Sequence, residues 1–281
     1  MEQSVRTKIK KIRLADESIV EDFVAVEEPL EIQLSYISKG RRVVRSISIT
    51  MRTPGHDKEL ALGFLQTEGI ICTMEQVQDV IVPDDEKTYK PEENRLRVIL
   101  DDDVSVDVGK MDRNFYTTSS CGICGKASLE ALKITGVKAF SSNSPKVQKN
   151  TFLHLPDKLV QQQNTFHKTG GLHAAGLFDA NGDLKVLRED VGRHNAVDKI
   201  AGSTLQDKTL CAMESILLVS GRTSFEIVQK AIRTGIPIIA SIGSPSSMAV
   251  EIASSFNVTL VGFIKNDVFN IYTNEDRILV S

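Results

Sequence analysis

Residues 175–190 read AGLFDANGDLKVLRED, two alternating apolar runs joined by Asn181-Gly182. That dipeptide is the strongest short-range hairpin signal, because both residues tolerate positive φ. The segments C-terminal to this hairpin decide the fold. The pattern gives a helix around Asn195 to Ala201, strand SILLVS (215–220) and a helix from Phe225 to Thr234. Strand IPIIAS (236–241), a helix from Ser246 to Phe256 and strand VTLVGFI (258–264) complete it. Apolar strands separated by single helices need crossover connections, so this half reads as an α/β layer around a mainly parallel sheet. Upstream, short strands around Phe23 to Val26, Ile32 to Tyr36 and Val43 to Ile49 precede a helix starting near His56. In that helix Leu60, Phe64 and Leu65 share a face, and Gly69 offers a stop. Pro83 to Glu93 reads as an acidic exposed loop, and RLRVIL (95–100) as an edge-like strand ended by Asp101, Asp102 and Asp103. The expected division is a smaller N-terminal α+β domain, 1–138, and an α/β domain, 139–281.

Composition narrows the function. The 281 residues carry 34 basic and 37 acidic side chains, a net charge of −3. That balance provides no general basic field for duplex nucleic acid or an anionic membrane, so any polyanion must sit in a local site. The opening segment lacks the apolar core of a secretory signal, and no run approaches the roughly 18 to 20 apolar residues of a membrane helix. The chain therefore reads as cytoplasmic. Four cysteines are too few for a disulfide framework. Cys72 and Cys211 stand beside apolar neighbours and read as buried.

Two strands run into helix starts of similar chemistry. Ser220-Gly221-Arg222-Thr223-Ser224 places Thr223 and Glu226 at capping-box spacing, and Gly243-Ser244-Pro245-Ser246 supplies a cap with Pro at the first helical position. Such turns point backbone N–H groups outward at the carboxyl ends of strands, where they favour an anion such as phosphate together with the helix dipole and Arg222. Lys265 beyond the next strand and Gly170-Gly171 upstream extend the same surface towards a nucleotide pocket. The alternative is that Ser, Thr and Gly merely cap helices. His173 and His194 lie in polar loops near this pocket, to touch ligand or tie down loops. His56, His154 and His167 read as surface or capping residues. Arg193 and Arg222 are candidate phosphate forks, against a salt bridge to a nearby carboxylate such as Glu189 or Asp190.

SSCGICGK (119–126) is the densest chemical feature. Gly122 and Gly125 disfavour a helix across Cys121 and Cys124, so the thiols are expected on a mobile loop, about 117–126. Lys126 and a helix beginning near Ala127 would favour a thiolate. A thiolate suits sulfur transfer, because it attacks an incoming persulfide and carries the outer sulfur while a second thiol releases or resolves it. Zinc binding, a thioredoxin-like dithiol and an inert pair remain open alternatives.

CGICGKASLEAL (121–132), TGGLHAAGL (169–177), EDVGRHNAVDKI (189–200), SGRTSFEIVQKA (220–231) and MRTPGHDKELALGFLQTEGII (51–71) together resemble the FdhD family, sulfur carriers required for formate dehydrogenase activity. The resemblance implies a sulfurtransferase that accepts sulfur from a cysteine desulfurase as a persulfide on Cys121, assisted by Cys124. It then passes the sulfur to the molybdenum or tungsten centre of a bis-molybdopterin guanine dinucleotide before insertion into formate dehydrogenase. It also implies a homodimer and a cofactor-binding stretch at Phe263, Ile264, Lys265, Asn266, Asp267 and Val268, after the last core strand. Arg222, Thr223, Ser224, Ser244, Gly171, His173, Arg193 and His194 complete the expected cofactor surface, on which a guanine nucleotide would substitute. The C-terminal half also resembles the three-layer cytidine deaminase fold, with His194-Asn195-Ala196 and Ser224-Phe225-Glu226-Ile227-Val228 at its two signature helices. The catalytic Glu and both cysteine ligands are missing there, so no zinc-bound hydroxide and no metal site is expected. Two rivals remain: a non-catalytic cofactor chaperone with a structural or metal-binding cysteine pair, and a dithiol oxidoreductase.

Overall fold

The computed structural model describes residues 2–84, 93–104, 106, 137–141 and 143–280. Cys121, Cys124, the 117–126 loop and the helix start near Ala127 lie outside the described residues.

β1 (Ser4–Ile12) and β2 (Glu17–Ala25) form a separate antiparallel hairpin. β1 carries too few apolar residues to announce a strand. Next come β3 (Glu28–Ser38), β4 (Arg41–Arg52), α1 (Asp57–Thr67), β5 (Val77–Ile81) and β6 (Arg95–Leu100), whose sheet has the order β4-β3-β6-β5. The edge-like reading of RLRVIL is corrected: β6 lies inside this sheet, parallel to β3 and antiparallel to β5. Its alternation marks one face packed on a core, which interior strands of a one-sided sheet share with edges. Leu30, Ile32 and Leu34 of β3 and Leu96, Val98 and Leu100 of β6 form that core with Leu60, Ala61, Leu62 and Leu65 of α1.

The chain continues through β7 (Val147–Gln148), α2 (Lys149–Gln162), α3 (Asn164–Thr169), β8 (His173–Asp179), β9 (Leu184–Asp190), α4 (Arg193–Gln206) and β10 (Ser215–Val219). α5 (Phe225–Thr234), β11 (Ile238–Ser241), α6 (Ser247–Ser255), β12 (Thr259–Lys265), β13 (Val268–Thr273) and β14 (Ile278–Leu279) complete the order. Six strands form one sheet in the order β13-β12-β11-β10-β8-β9. Only β10–β11 and β11–β12 pair in parallel, so the expectation of a mainly parallel sheet is corrected to a mixed one. The Asn181-Gly182 hairpin puts β8 between β9 and β10, antiparallel to both. The α4 crossover therefore joins two parallel strands that are not neighbours. On the far edge a two-residue turn folds β13 back on β12.

Helices cover both faces. Val197 and Ile200 of α4, Ile227, Val228 and Ala231 of α5 and Ile252 of α6 pack with Leu177, Leu217, Ile239 and Leu260 of the sheet. Phe152, Leu155 and Leu159 of α2 pack on the other face with Phe178, Ile216, Leu218 and Val261. Ile216, Leu217 and Leu218 of β10 thus alternate between two cores, as buried central strands do.

α1 crosses α4 at glycine. A Cβ on Gly63 would lie 1.8 Å from the Asp198 carbonyl oxygen, and one on Gly202 would lie 1.9 Å from that of Glu59. Polar groups close this seam. Lys199 Nζ, fully buried, contacts Asp190 Oδ2 at 2.7 Å and donates to the Thr53 carbonyl at 2.9 Å. Lys230 donates to both oxygens of Asp198 at 2.8 and 2.9 Å, and Thr67 Oγ1 donates to Asp198 at 2.7 Å. Arg188 forks onto Glu59. Burial raises the Glu59 pKa, but the Arg188 hydrogen bonds and charge, with His56, override it and hold the carboxyl at about 2.

Cys72 and Cys211 are exposed, which corrects the expectation of burial. In each case the apolar core position belongs to a neighbour: Ile71 is 1% exposed, and Cys211 caps the short 3-10 turn Ala212–Glu214.

Candidate functional site

The turns after β10, β11 and β12 meet at one end of the six-stranded sheet. Gly243 N–H donates to the Gly221 carbonyl at 3.2 Å, and Phe263 N–H donates to the Gly243 carbonyl at 3.1 Å. Thr223 N–H donates to Ser244 O at 3.2 Å, and Ser246 N–H to Thr223 O at 2.9 Å. Gly243 permits this approach, since a Cβ there would lie 2.9 Å from the Gly221 oxygen. The structure thus joins 220–224, 243–246 and the start of 263–268 into one surface. These bonds also correct one expectation: the N–H groups of Thr223, Gly243, Ser246 and Phe263 are spent between turns and do not point outward.

The caps differ from their sequence reading. α5 has Ser224, not Thr223, at its cap position; Thr223 is drawn into a bridge with Pro245, while the helix keeps its expected start at Phe225. Pro245 stands before the cap of α6, and Ser246 is that cap, its Oγ accepting from Ala249 N–H at 3.2 Å.

α4 delivers Arg193 and His194 to the same surface from its first turn. His194 Nε2 and Ser224 Oγ are 3.5 Å apart. His173 opens β8 opposite Asp190, and its Nδ1 lies 3.5 Å from where a Gly221 Cβ would stand. Two polar atoms here are buried without a hydrogen-bond partner among the described residues: Arg193 Nε and Thr223 Oγ1, Thr223 being 1% exposed. The alternative salt bridge for Arg193 is not formed. Asp190 is taken by Lys199, and the Glu189 carboxylate accepts from Thr165 N–H at 3.0 Å and Phe166 N–H at 2.7 Å.

The titratable groups of this surface are shifted by burial and by Arg193. Burial, then the Arg193 charge, holds His173 below the usual imidazole range, with Asp190 opposing. Burial, Arg193 and Lys230 do the same to His194 against Glu226 and Asp198. The Glu226 carboxyl is also depressed: burial pushes it up, but the Ser224 hydroxyl, its own backbone N–H, His194 and Arg193 outweigh burial. Two neutral imidazoles thus flank an arginine whose Nε lacks an acceptor. An anionic group would supply that acceptor and favour imidazolium.

The remaining expected residues are distributed as follows. Arg222 is exposed and Ser244 half-buried between the turns. Gly171 N–H bonds Thr169 Oγ1 at 3.3 Å, beside α3 rather than on the turns. The 263–268 stretch does not follow the last core strand. Phe263, Ile264 and Lys265 end β12, Asn266-Asp267 make the turn, and Val268 opens β13. Phe263 is 47% exposed whereas Ile264, at 1%, faces the core. Sequence reasoning gave Glu226 only a capping role, and it missed Asp190, Asn195, Asp198 and Lys199 as seam residues. Asn195, Asp198, Lys199 and Gly202 recur at helical spacing among apolar residues, the one signal that could have found them.

The model of the FdhD/NarQ family matches residues 25–279. The chain belongs to the FdhD/NarQ family. It is 43% identical over 279 residues to the sulfur carrier protein FdhD of Streptomyces coelicolor, covering 97% of this chain and 95% of that one. It is 44% identical over 277 residues to the protein of the same name in Sulfurisphaera tokodaii, covering 99% and 100%. A crystal structure provisionally described as a formate dehydrogenase accessory protein, from Desulfotalea psychrophila, superposes with a TM-score of 0.75 at 27% identity. It covers 99% of this chain and 100% of that one. The FdhD/NarQ match spans both sheets and the seam between them, so the α1–α4 crossing and the turn surface lie inside the family region. Among the described residues no helix is long and apolar enough to cross a membrane.

Proposed function

We propose that this chain is a cytoplasmic sulfur carrier in formate dehydrogenase maturation. Cys121 thiolate attacks the outer sulfur of a cysteine desulfurase persulfide, forming the Cys121 persulfide and releasing the desulfurase thiolate. The sulfur then passes to a bis-molybdopterin guanine dinucleotide, of molybdenum or tungsten, held as substrate on the turns after β10, β11 and β12. Attack of Cys124 on the inner sulfur would release hydrosulfide and leave a Cys121–Cys124 disulfide, which a cellular dithiol would reduce. The client is formate dehydrogenase, and the working form is a homodimer.

The observation that carries the cofactor half of this reading is Arg193, whose Nε is buried without an acceptor beside two neutral histidines. The carrier half is supported by relatives of near-full-length coverage that are named sulfur carriers. A deaminase-like origin of residues 139–281 is supported by the helices on both sheet faces. It is also supported by the 3.5 Å approach of His194, at the histidine-ligand position, to Ser224, which stands one residue before the first cysteine-ligand position. The division into 1–138 and 139–281 is supported by separate apolar cores on the two sides of the seam.

The test is mass spectrometry of the intact protein after incubation with a cysteine desulfurase and cysteine. A mass gain of one sulfur on Cys121, retained in Cys124→Ala and absent in Cys121→Ala, is the expected result. Stoichiometric zinc without persulfide would instead favour the chaperone, and a cycling disulfide without persulfide would favour the oxidoreductase.

A further inference from the structure

The last turns of α1, α4 and α5 meet around a cavity of about 210 Å³. Gln66 of α1, Thr204 of α4 and Thr234 of α5 line it, together with Cys72, Glu75 and Lys208. The cavity thus opens between the two parts of the molecule. It is separate from the cofactor turns, because α4 and α5 reach those turns with their first residues, Arg193 and His194 and the cap Ser224. The 14 residues of α4 put roughly 20 Å between the two places.

Two features of the lining point to a ligand. The first is Cys72, an exposed free thiol. Arg233 lies close to it: a Cβ on Gly69 would collide with Arg233 Nη1, and the charge of Cys72 acts on Arg233. An accessible thiol beside a cation is a setting in which cysteine undergoes exchange. The second is Gln66, whose Oε1 is buried without a hydrogen-bond partner among the described residues. Native proteins keep few such groups, and the terminal amide torsion is broad, so this oxygen can turn to a donor in the cavity. Lys208 Nζ and Glu75 Oε1 stand 3.2 Å apart, both well exposed. A thiol, an acceptor for ammonium and a lysine for carboxylate around one space match a sulfur-bearing amino acid. Size agrees, since pockets for drug-sized ligands run to about 300–1,000 Å³ and this one is smaller.

We propose that Cys72 is a modification site, at which this cavity takes up a cysteinyl group as a mixed disulfide. The Cys72 thiolate attacks one sulfur of cystine. The cystine S–S bond breaks, a new S–S bond joins Cys72 to the cysteinyl group, and the departing cysteine thiolate takes a proton from solvent. Cystine is the oxidant, and a dithiol reverses the step. In the cavity the cysteinyl ammonium donates to Gln66 Oε1 and its carboxylate meets Lys208. The site is independent of the cofactor reading.

The test uses the full chain carrying Cys121→Ala and Cys124→Ala, which leaves Cys72 and Cys211 as its two thiols. Both are exposed, but the described lining of the cavity includes Cys72 and not Cys211, so Cys211 is the internal comparison. Intact mass and peptide mapping during incubation with cystine are expected to show a cysteinyl group gained at Cys72 at least about 10-fold faster than at Cys211. Glutathione disulfide, too large for the cavity, is expected to react at Cys72 more slowly than cystine. Lys208→Ala is expected to slow cystine about 2- to 5-fold, the range for one exposed charge, and not to slow cystamine, which has no carboxylate. Equal rates at the two cysteines, glutathione disulfide reacting at Cys72 as fast as cystine, or a Cys72 that reacts only in urea would each overturn the site. An unchanged cystine rate in Lys208→Ala would overturn the carboxylate contact.

Discussion

Arg193 and Lys199 lie six residues apart on α4, yet their surroundings are opposite. Lys199 is fully buried and meets Asp190 at 2.7 Å, the Thr53 carbonyl at 2.9 Å and the Glu189 carbonyl at 3.3 Å. Among the described residues Arg193 has a buried Nε with no acceptor, beside a Thr223 hydroxyl in the same condition. A buried polar group left unsatisfied costs free energy, and native proteins keep few of them. The contrast separates polar groups that hold the two parts of the molecule together from polar groups whose missing partner the proposed anionic ligand would supply.

The largest effect that would test this contrast is at the seam itself. Gly202→Leu drives a side chain into the α1 backbone, and the expected loss is about 4 kcal/mol or more, read as a fall in the urea midpoint. An unchanged midpoint would mean that the helix crossing does not join the two parts.

Next come the two cations. Lys199→Met leaves Asp190 buried and unpaired, and should cost about 3–5 kcal/mol. Arg193→Met removes a buried Nε that lacks an acceptor and should leave stability unchanged or raise it, by up to about 1–3 kcal/mol. It should nevertheless weaken GDP about 10- to 150-fold, since one charge-assisted bond contributes about 1.5–3 kcal/mol. If Arg193→Met melts like Lys199→Met, the distinction fails.

The smallest effect is on pH. His173 and His194 are both held below the ordinary 6.5 in the folded chain. On acidification the unfolded chain therefore takes up protons near 6.5 that the folded chain refuses. Stability should be insensitive to these groups above that value and should fall as pH drops below it. His173→Asn with His194→Gln should flatten thermal midpoints between pH 6.5 and 5. Bound GDP should shrink the acid loss in the parent by favouring imidazolium. An equally steep fall in the double variant would assign it to other groups.

Much of this architecture is legible in the residues. Asn181-Gly182 marks the hairpin because turn geometry is local, and the helix predicted from Phe225 to Thr234 is found with those ends because its apolar face repeats at helical period. Strand direction was less legible. Alternating helices and strands imply crossovers, but not that β8 would insert between the two strands that α4 connects. The turns were legible as ligand-prone from Gly, Ser and Arg. Their N–H groups were not legible as mutually bonded, because those bonds link residues about 20 positions apart.

By itself the sequence determined the 175–190 hairpin, the helices and strands that follow it as far as Ile264, the Cys121–Cys124 pair and the five motifs of the FdhD resemblance. These are read from neighbours along the chain. Tertiary structure alone decided that Asp190 pairs with Lys199 and leaves Arg193 Nε without an acceptor among the described residues, that α1 and α4 cross at Gly63 and Gly202, and that a strained Phe263 faces outward. Each of these depends on which backbone arrives from elsewhere in the chain, and local propensity carries no information about that arrival.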